Sequence, residues 1–238
     1  MSLSMAREGR IESGVLPAGF LRGGDWPCAA VRRRPAWLAP PHPPADTMPM
    51  FESATTNLTN QFLIAMPGMA DPFFARTVTY LCQHSEEGAL GIIINRPLRM
   101  TLKDIIEQMD IEFHNEALSD MPVYFGGPVH TERGFVLHEP VGEWKSTLRI
   151  SDSLSLTTSL DILEAISRGE GPHKVLLALG YAGWGEGQLE REIVDNAWLN
   201  AEAEQSIIFN LPAAHRWKAA AGLMGVDMAQ LSSQVGHG

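Results

Sequence analysis

Half of the sixteen prolines in this 238-residue chain fall within its first fifty residues. The stretch Arg32-Arg-Arg-Pro-Ala-Trp-Leu-Ala-Pro-Pro-His-Pro-Pro44 has neither a helical nor a strand period. Repeated proline removes backbone donors and favours extended chain. Residues 1–50 are therefore expected to be a disordered Arg/Pro-rich extension, with the fold confined to a single domain over 51–238. Met48 or Met50 is the natural start on this reading, which makes the segment an upstream extension. A basic arm and a targeting peptide are the other two readings. No apolar h-region follows the early charges, as a secretory signal would require.

Charge divides at the same place. Residues 1–50 hold six Arg and four acidic residues, whereas 51–238 carry 12 basic and 24 acidic residues. Duplex DNA is bound by neutralising phosphates with Lys and Arg, so a body of net charge −12 argues against direct nucleic-acid binding. No apolar run approaches the roughly 18 residues of a membrane helix, so no membrane association is expected. Cys82 is the one thiol of the body, Cys28 lying in the extension. An internal disulfide or a Cys-rich zinc site is thereby excluded, and a reducing cytoplasm is the expected compartment.

The body alternates short apolar runs with Gly/Pro punctuation. Gln61–Met66, Thr77–Gln83, Ile92–Asn95, Val123–Phe125, Gly134–His138 and Lys174–Gly180 read as strands, as does Ile207–Phe209. Ser146–Ser155 fits one or two more. Asp71-Pro72 caps one or two helical turns, Thr101 a helix over 102–109 and Ser159 one over 160–168. Helical patterns also cover 188–196 and 213–224, and a last short helix is expected after Gly225. About eight strands and five helices without a βαβ rhythm predict an α+β fold, a single compact domain with a mixed β-sheet.

Familiar catalytic signatures are missing: no GxxxxGK[ST], no GxGxxG after a strand, no HExxH and no GxSxG. Four local constellations remain. Cys82 and His84 are two apart on a strand, so alternation places both on one face, where a His could activate the thiol. A buried structural Cys beside a turn His is the plainer account. Gly126-Gly127-Pro128 follows a strand. Its N–H groups could form an anion-binding concavity completed by Arg133, with His138 nearby as an acid–base group, or the glycines could simply make a tight turn. Gly180-Tyr-Ala-Gly-Trp-Gly-Glu-Gly187 reads as a glycine-hinged loop opening the helix that begins Gln188-Leu189-Glu190. Tyr181 and Trp184 either line a site or fill the core. Asn95-Arg96-Pro97 and an Asp71–Arg76 pair are the last polar groups beside apolar strands; the Asp–Arg pair is expected to be a structural tie, and Asn95 and Arg96 are candidate binding residues.

The runs FLIAMPGMADPFF, TVTYLCQHSEEGALGIIINRP, YFGGPV, GFVLH and LALGYAGWGEGQLEREIVDNAWL, in this order, resemble the bacterial AlgH/YqgE family, also called UPF0301 or DUF179. The resemblance covers about 57–225. It implies a compact cytoplasmic α+β protein and a label of transcriptional regulator, but supplies no catalytic residues. The positions matching the pattern are Asn95-Arg96-Pro97, Gly126-Gly127-Pro128, Arg133, His138, Gly180–Trp184 and Gln188-Leu189-Glu190.

A non-enzymatic regulatory binding or adaptor protein, acting through a protein partner or a small anionic ligand and needing no cofactor or metal, fits these features best. An enzyme using Cys82/His84 or His138/Arg133 is the alternative, and direct DNA binding the third reading.

Overall fold

The computed structural model describes residues 57–226. The 1–50 extension and the short helix expected after Gly225 lie outside them.

Ten strands of the described residues form one curled sheet in the order β10-β1-β2-β3-β9-β6-β8-β7, with β5 paired to β9 and β4 to β5. They are β1 (Gln61–Ala65), β2 (Val78–Ser85), β3 (Gly88–Ile93), β4 (Pro97–Thr101), β5 (Pro122–Phe125), β6 (Val129–Glu139), β7 (Thr147–Arg149), β8 (Ser155–Thr157), β9 (Lys174–Gly185) and β10 (Trp198–Glu202). Only β5–β9 is a parallel pair, so the sheet is mixed as the strand runs suggested. Four α-helices pack against it: α1 (Leu102–Gln108), α2 (Leu160–Ser167), α3 (Gln188–Val194) and α4 (Ala213–Gly222). The α+β architecture in one domain follows.

Local signals explain the helix starts. Thr101 and Asp104 form a reciprocal capping box, Asp104 N–H to Thr101 Oγ1 at 3.2 Å and Thr101 N–H to Asp104 Oδ2 at 2.7 Å. Ser159 occupies the N-cap of α2, but its hydroxyl donates to Asp161 Oδ1 instead of capping a helical N–H. Asp71 starts a single turn by accepting from Phe73 N–H.

Two expectations are corrected. Ile207–Phe209 is not a strand but part of a π-helix over Ser206–Asn210, with Ile207 and Ile208 buried. A short apolar run carries no period that separates the two. The glycine-rich segment is not a loop: β9 continues through Gly185, with Ala182 and Trp184 inward and Gly183 and Gly185 outward. Glycines hid an ordinary period-two strand.

β9 organises the molecule. Its first half pairs with β6 and β5, and its second half with β3. Three apolar clusters result. Phe62, Tyr80, Ile94 and Leu137 pack under α4 and the π-helix. Leu102, Ile106, Ile162 and Leu177 pack with α1 and α2. Leu63, Leu81, Trp184 and Leu189 pack with α3.

Candidate binding surface

Cys82 and His84 do not form a pair. The β2–β3 register slips between Leu81 and Gln83, which leaves Cys82 as the extra residue of a bulge. An extra residue reverses the face of everything after it. Cys82 packs with Phe62 and Tyr80, while His84 lies opposite Ala89, beside the Trp184 cluster. Burial pushes the Cys82 thiol far above its usual range, and its Sγ lies 3.6 Å from the Tyr80 carbonyl. A neutral, enclosed thiol is a poor nucleophile.

His84 is a structural clasp. Its Nδ1 accepts the Leu58 N–H at 3.1 Å, so Nε2 carries the proton donated to Glu190 Oε1 at 2.8 Å. Glu190 thereby joins α3 to β2.

His138 is also enclosed. Its Nδ1 donates to the Pro140 carbonyl at 3.0 Å, and its Nε2 accepts from Thr157 Oγ1 at 2.9 Å. Burial lowers its pKa, opposed by the Pro140 carbonyl. Arg133 is not among its partners, so the expected His138/Arg133 acid–base pair is absent.

Trp184 fills the core. It is 4% exposed, and its indole N–H donates to Glu192 Oε2 at 2.9 Å. Trp198 donates to the same oxygen at 2.8 Å, and Gln188 Nε2 to Glu192 Oε1 at 2.9 Å. Gln188 Oε1 also accepts the Gly185 N–H at 3.1 Å, which fixes the start of α3. Glu192 is the residue that sequence reasoning missed. The i,i+4 spacing of Gln188 and Glu192 was its only available signal.

Gly126 and Gly127 do not form an open anion cradle. A Cβ at Gly126 would collide with the Gly180 carbonyl, and one at Gly127 (φ +154°) with the Tyr181 backbone. These glycines let the β5–β6 turn lie directly on β9, with Gly126 N–H donating to the Leu179 carbonyl at 2.8 Å.

Asn95 and Arg96 behave as ties. Asn95 Oδ1 accepts the Val78 N–H at 2.9 Å, its Nδ2 donates to the Arg76 carbonyl at 2.9 Å, and Arg96 Nη2 donates to the Ala75 carbonyl at 2.8 Å. Arg76 itself forms no ion pair with Asp71; its guanidinium lies 5.9 Å from the centre of the Trp217 ring.

An accessible feature remains around Tyr181. An open depression of about 450 Å³ is lined by Gln83, Glu87, Leu90, Val129 and Tyr181 among others. Tyr181 is half-buried, edge-on to Phe135 at 5.5 Å between ring centres. His130, held at φ +49° in the irregular start of β6, lies 6.0 Å from it between ring centres. The β6–β9 register slips between Val129 and Gly134, the stretch that holds His130. His130 Nδ1 and Glu132 Oε1 are 3.0 Å apart. No group of three or more His, Cys, Asp or Glu suited to a metal occurs among the described residues, and none of the described helices is long and apolar enough to cross a membrane.

A curled sheet strapped by short helices, with His84, His138 and Cys82 committed to packing, defines a compact α+β domain with an aromatic-rimmed surface. The family model for AlgH-like proteins, DUF179, matches residues 62–229, and the chain belongs to this family. It is 64% identical over 181 residues to a UPF0301 protein of Methylococcus capsulatus, covering 76% of this chain and 96% of that one. A UPF0301 protein of Nitrosospira multiformis is 55% identical over 183 residues, covering 77% and 98%. The solution structure of the AlgH protein from Pseudomonas aeruginosa superposes with a TM-score of 0.64 at 48% identity, covering 79% of this chain and all of that one. A crystal structure from Corynebacterium diphtheriae, 20% identical with a TM-score of 0.58, shares the fold.

Proposed function

We propose that this chain is a non-enzymatic regulatory binding protein that holds a partner protein at the Tyr181 depression. The observation that carries this reading is Tyr181 itself. It is a half-buried aromatic at the rim of an open depression, backed by Phe135 and flanked by His130. Amphipathic aromatics supported from behind are the side chains that anchor protein interfaces. The groups best suited to covalent or acid–base chemistry, Cys82, His84 and His138, are instead buried in hydrogen-bonded packing. That arrangement favours recognition over turnover, and a cytoplasmic setting suits the single buried thiol.

Capture on the immobilised full chain tests it. Wild type should retain a discrete bacterial partner that Tyr181→Ala loses at least about tenfold, with an unchanged far-UV spectrum. Equal retention by Tyr181→Ala overturns the reading. So does turnover on a panel of ester, phosphate, thiol-transfer and nucleic-acid substrates that His138→Ala abolishes. Regulation by direct DNA contact would require duplex binding at physiological salt by a body of net charge −12; fluorescence anisotropy should show none.

A further inference from the structure

The Tyr181 depression carries one sign of charge. Glu87 lines it, and no Lys, Arg or His is among the described residues that do. Glu186 follows Gly185, the ladder partner of Gly88 in the lining. Among the described residues neither carboxylate has a cationic group within 4.0 Å. On β9 the lining includes Gly183, where a Cβ would lie 3.1 Å from Tyr181 Cε2, so the ring leans over that glycine. A half-buried aromatic beside bare backbone and an unpaired carboxylate suits an extended, proline-rich, cationic segment. Proline rings stack on tyrosine, and guanidinium groups pair with carboxylate.

This chain contains such a segment. Arg32-Arg33-Arg34 is followed by five prolines through Pro44, and no acidic residue occurs from Trp26 to Ala45. The body it belongs to has a net charge of −12. The chain also enters the fold beside the depression. Leu58 N–H donates to His84 Nδ1 at 3.1 Å, and His84 N–H to Thr59 Oγ1 at 2.9 Å. The two neighbours of His84, Gln83 and Ser85, are lining residues. From β1 across β2 and β3 to β9 is three strand spacings, about 14 Å. Residues 45–56 reach up to about 40 Å when extended. A short tether gives a segment a roughly millimolar effective concentration, so a contact too weak to join separate molecules forms within one.

We propose that Arg32–Pro44 occupies the Tyr181 depression of its own chain, with an arginine against Glu87 and prolines on the Tyr181 ring. The segment is then a basic arm, not an upstream extension. The proposal rests on the reading of the Tyr181 surface as a binding site and adds its regulation, because a partner must displace the arm. Apparent partner affinity falls with the fraction of chains whose depression is open. An arm seated in about 70–90% of chains lowers it about three- to tenfold.

A nitroxide on Cys28, four residues before Arg32, reports the arm in the full-length chain, since Cys82 is buried. Paramagnetic broadening is expected for the backbone amides of Gln83–Leu90 and Tyr181–Gly183 at about 150 mM salt, which screens loose surface pairing. Amides of α2, which packs in a separate cluster, should stay sharp. Replacing Arg32, Arg33 and Arg34 together by Glu should abolish the broadening and raise partner retention about three- to tenfold. Glu87→Lys should weaken the broadening, and Glu107→Lys, the same charge change on α1, should not. Broadening that is absent, spread evenly over the acidic surface, or unchanged by the arginine replacement overturns the proposal. Broadening of an isotope-labelled chain by a second, nitroxide-bearing chain assigns the occupant to another copy and overturns it too. Partner capture lost in Tyr181→Ala without broadening in wild type defeats the arm and leaves the partner reading intact. Broadening with capture unchanged in Tyr181→Ala supports the arm and defeats the partner reading.

Discussion

His84 Nε2 and Glu190 Oε1 meet at 2.8 Å although 106 residues separate them in sequence. The contact joins the bulged end of β2 to the first turn of α3. It is oriented by the Leu58 N–H, which occupies the other imidazole nitrogen. His84→Ala leaves that buried N–H without its acceptor, so a loss of about 1–3 kcal/mol is expected. Urea unfolding would measure it, and Glu190→Gln, which retains an acceptor, should cost less.

Glu192 is the larger structural commitment. Two indoles and one amide donate to its carboxylate, and all three donors lose their partner in Glu192→Ala. A cost of about 3–5 kcal/mol follows, in the range for breaking a buried polar network. Glu192→Gln should fall well short of that. Tryptophan emission, sensitive to the packing of Trp184 and Trp198, should change in the alanine variant before global unfolding.

Cys82 should resist modification. In native buffer, a thiol-specific reagent should label it orders of magnitude more slowly than a free thiol, at a rate set by opening of the fold. Labelling at the free-thiol rate in the native state would contradict the buried geometry.

His138 predicts a pH dependence of stability. Its folded pKa lies below the ordinary 6.5 because burial disfavours the imidazolium. The unfolded chain therefore binds the proton more readily, and stability rises with pH until both forms are neutral. The contribution is complete above about 6.5 and is lost as pH falls through the lower folded value. Denaturant midpoints between about pH 7 and pH 5 should fall in wild type and fall less steeply in His138→Gln.

Gly127 tests the backbone contact between the β5–β6 turn and β9. Gly127→Ala places a methyl against Tyr181 at a φ of +154°, where L-residues are strained. A loss above about 2 kcal/mol is expected, with the Tyr181 surface disturbed as well. Thermal unfolding together with partner capture would report both effects.

Much of the fold was legible locally. The capping box at Thr101, the strand runs Gln61–Met66 and Lys174–Gly180, and the mixed sheet all follow from period, propensity and caps. The candidate surface was legible only in part. Tyr181 stood out by its glycine neighbours, but His130 lay in a run with no motif, and Trp184 was ambiguous between anchor and core.

The sequence by itself determined the family, most of the element types and the confinement of charge and proline, because these depend on neighbours a few residues apart. Tertiary structure decided which face each side chain meets. The bulge at Cys82 turns His84 away from the thiol and toward Glu190. The pairing of β3 with β9 makes a strand of glycines and buries Trp184 against Glu192. Each of these depends on register between segments far apart in sequence, and a single-residue slip, invisible in local patterning, exchanges inside for outside.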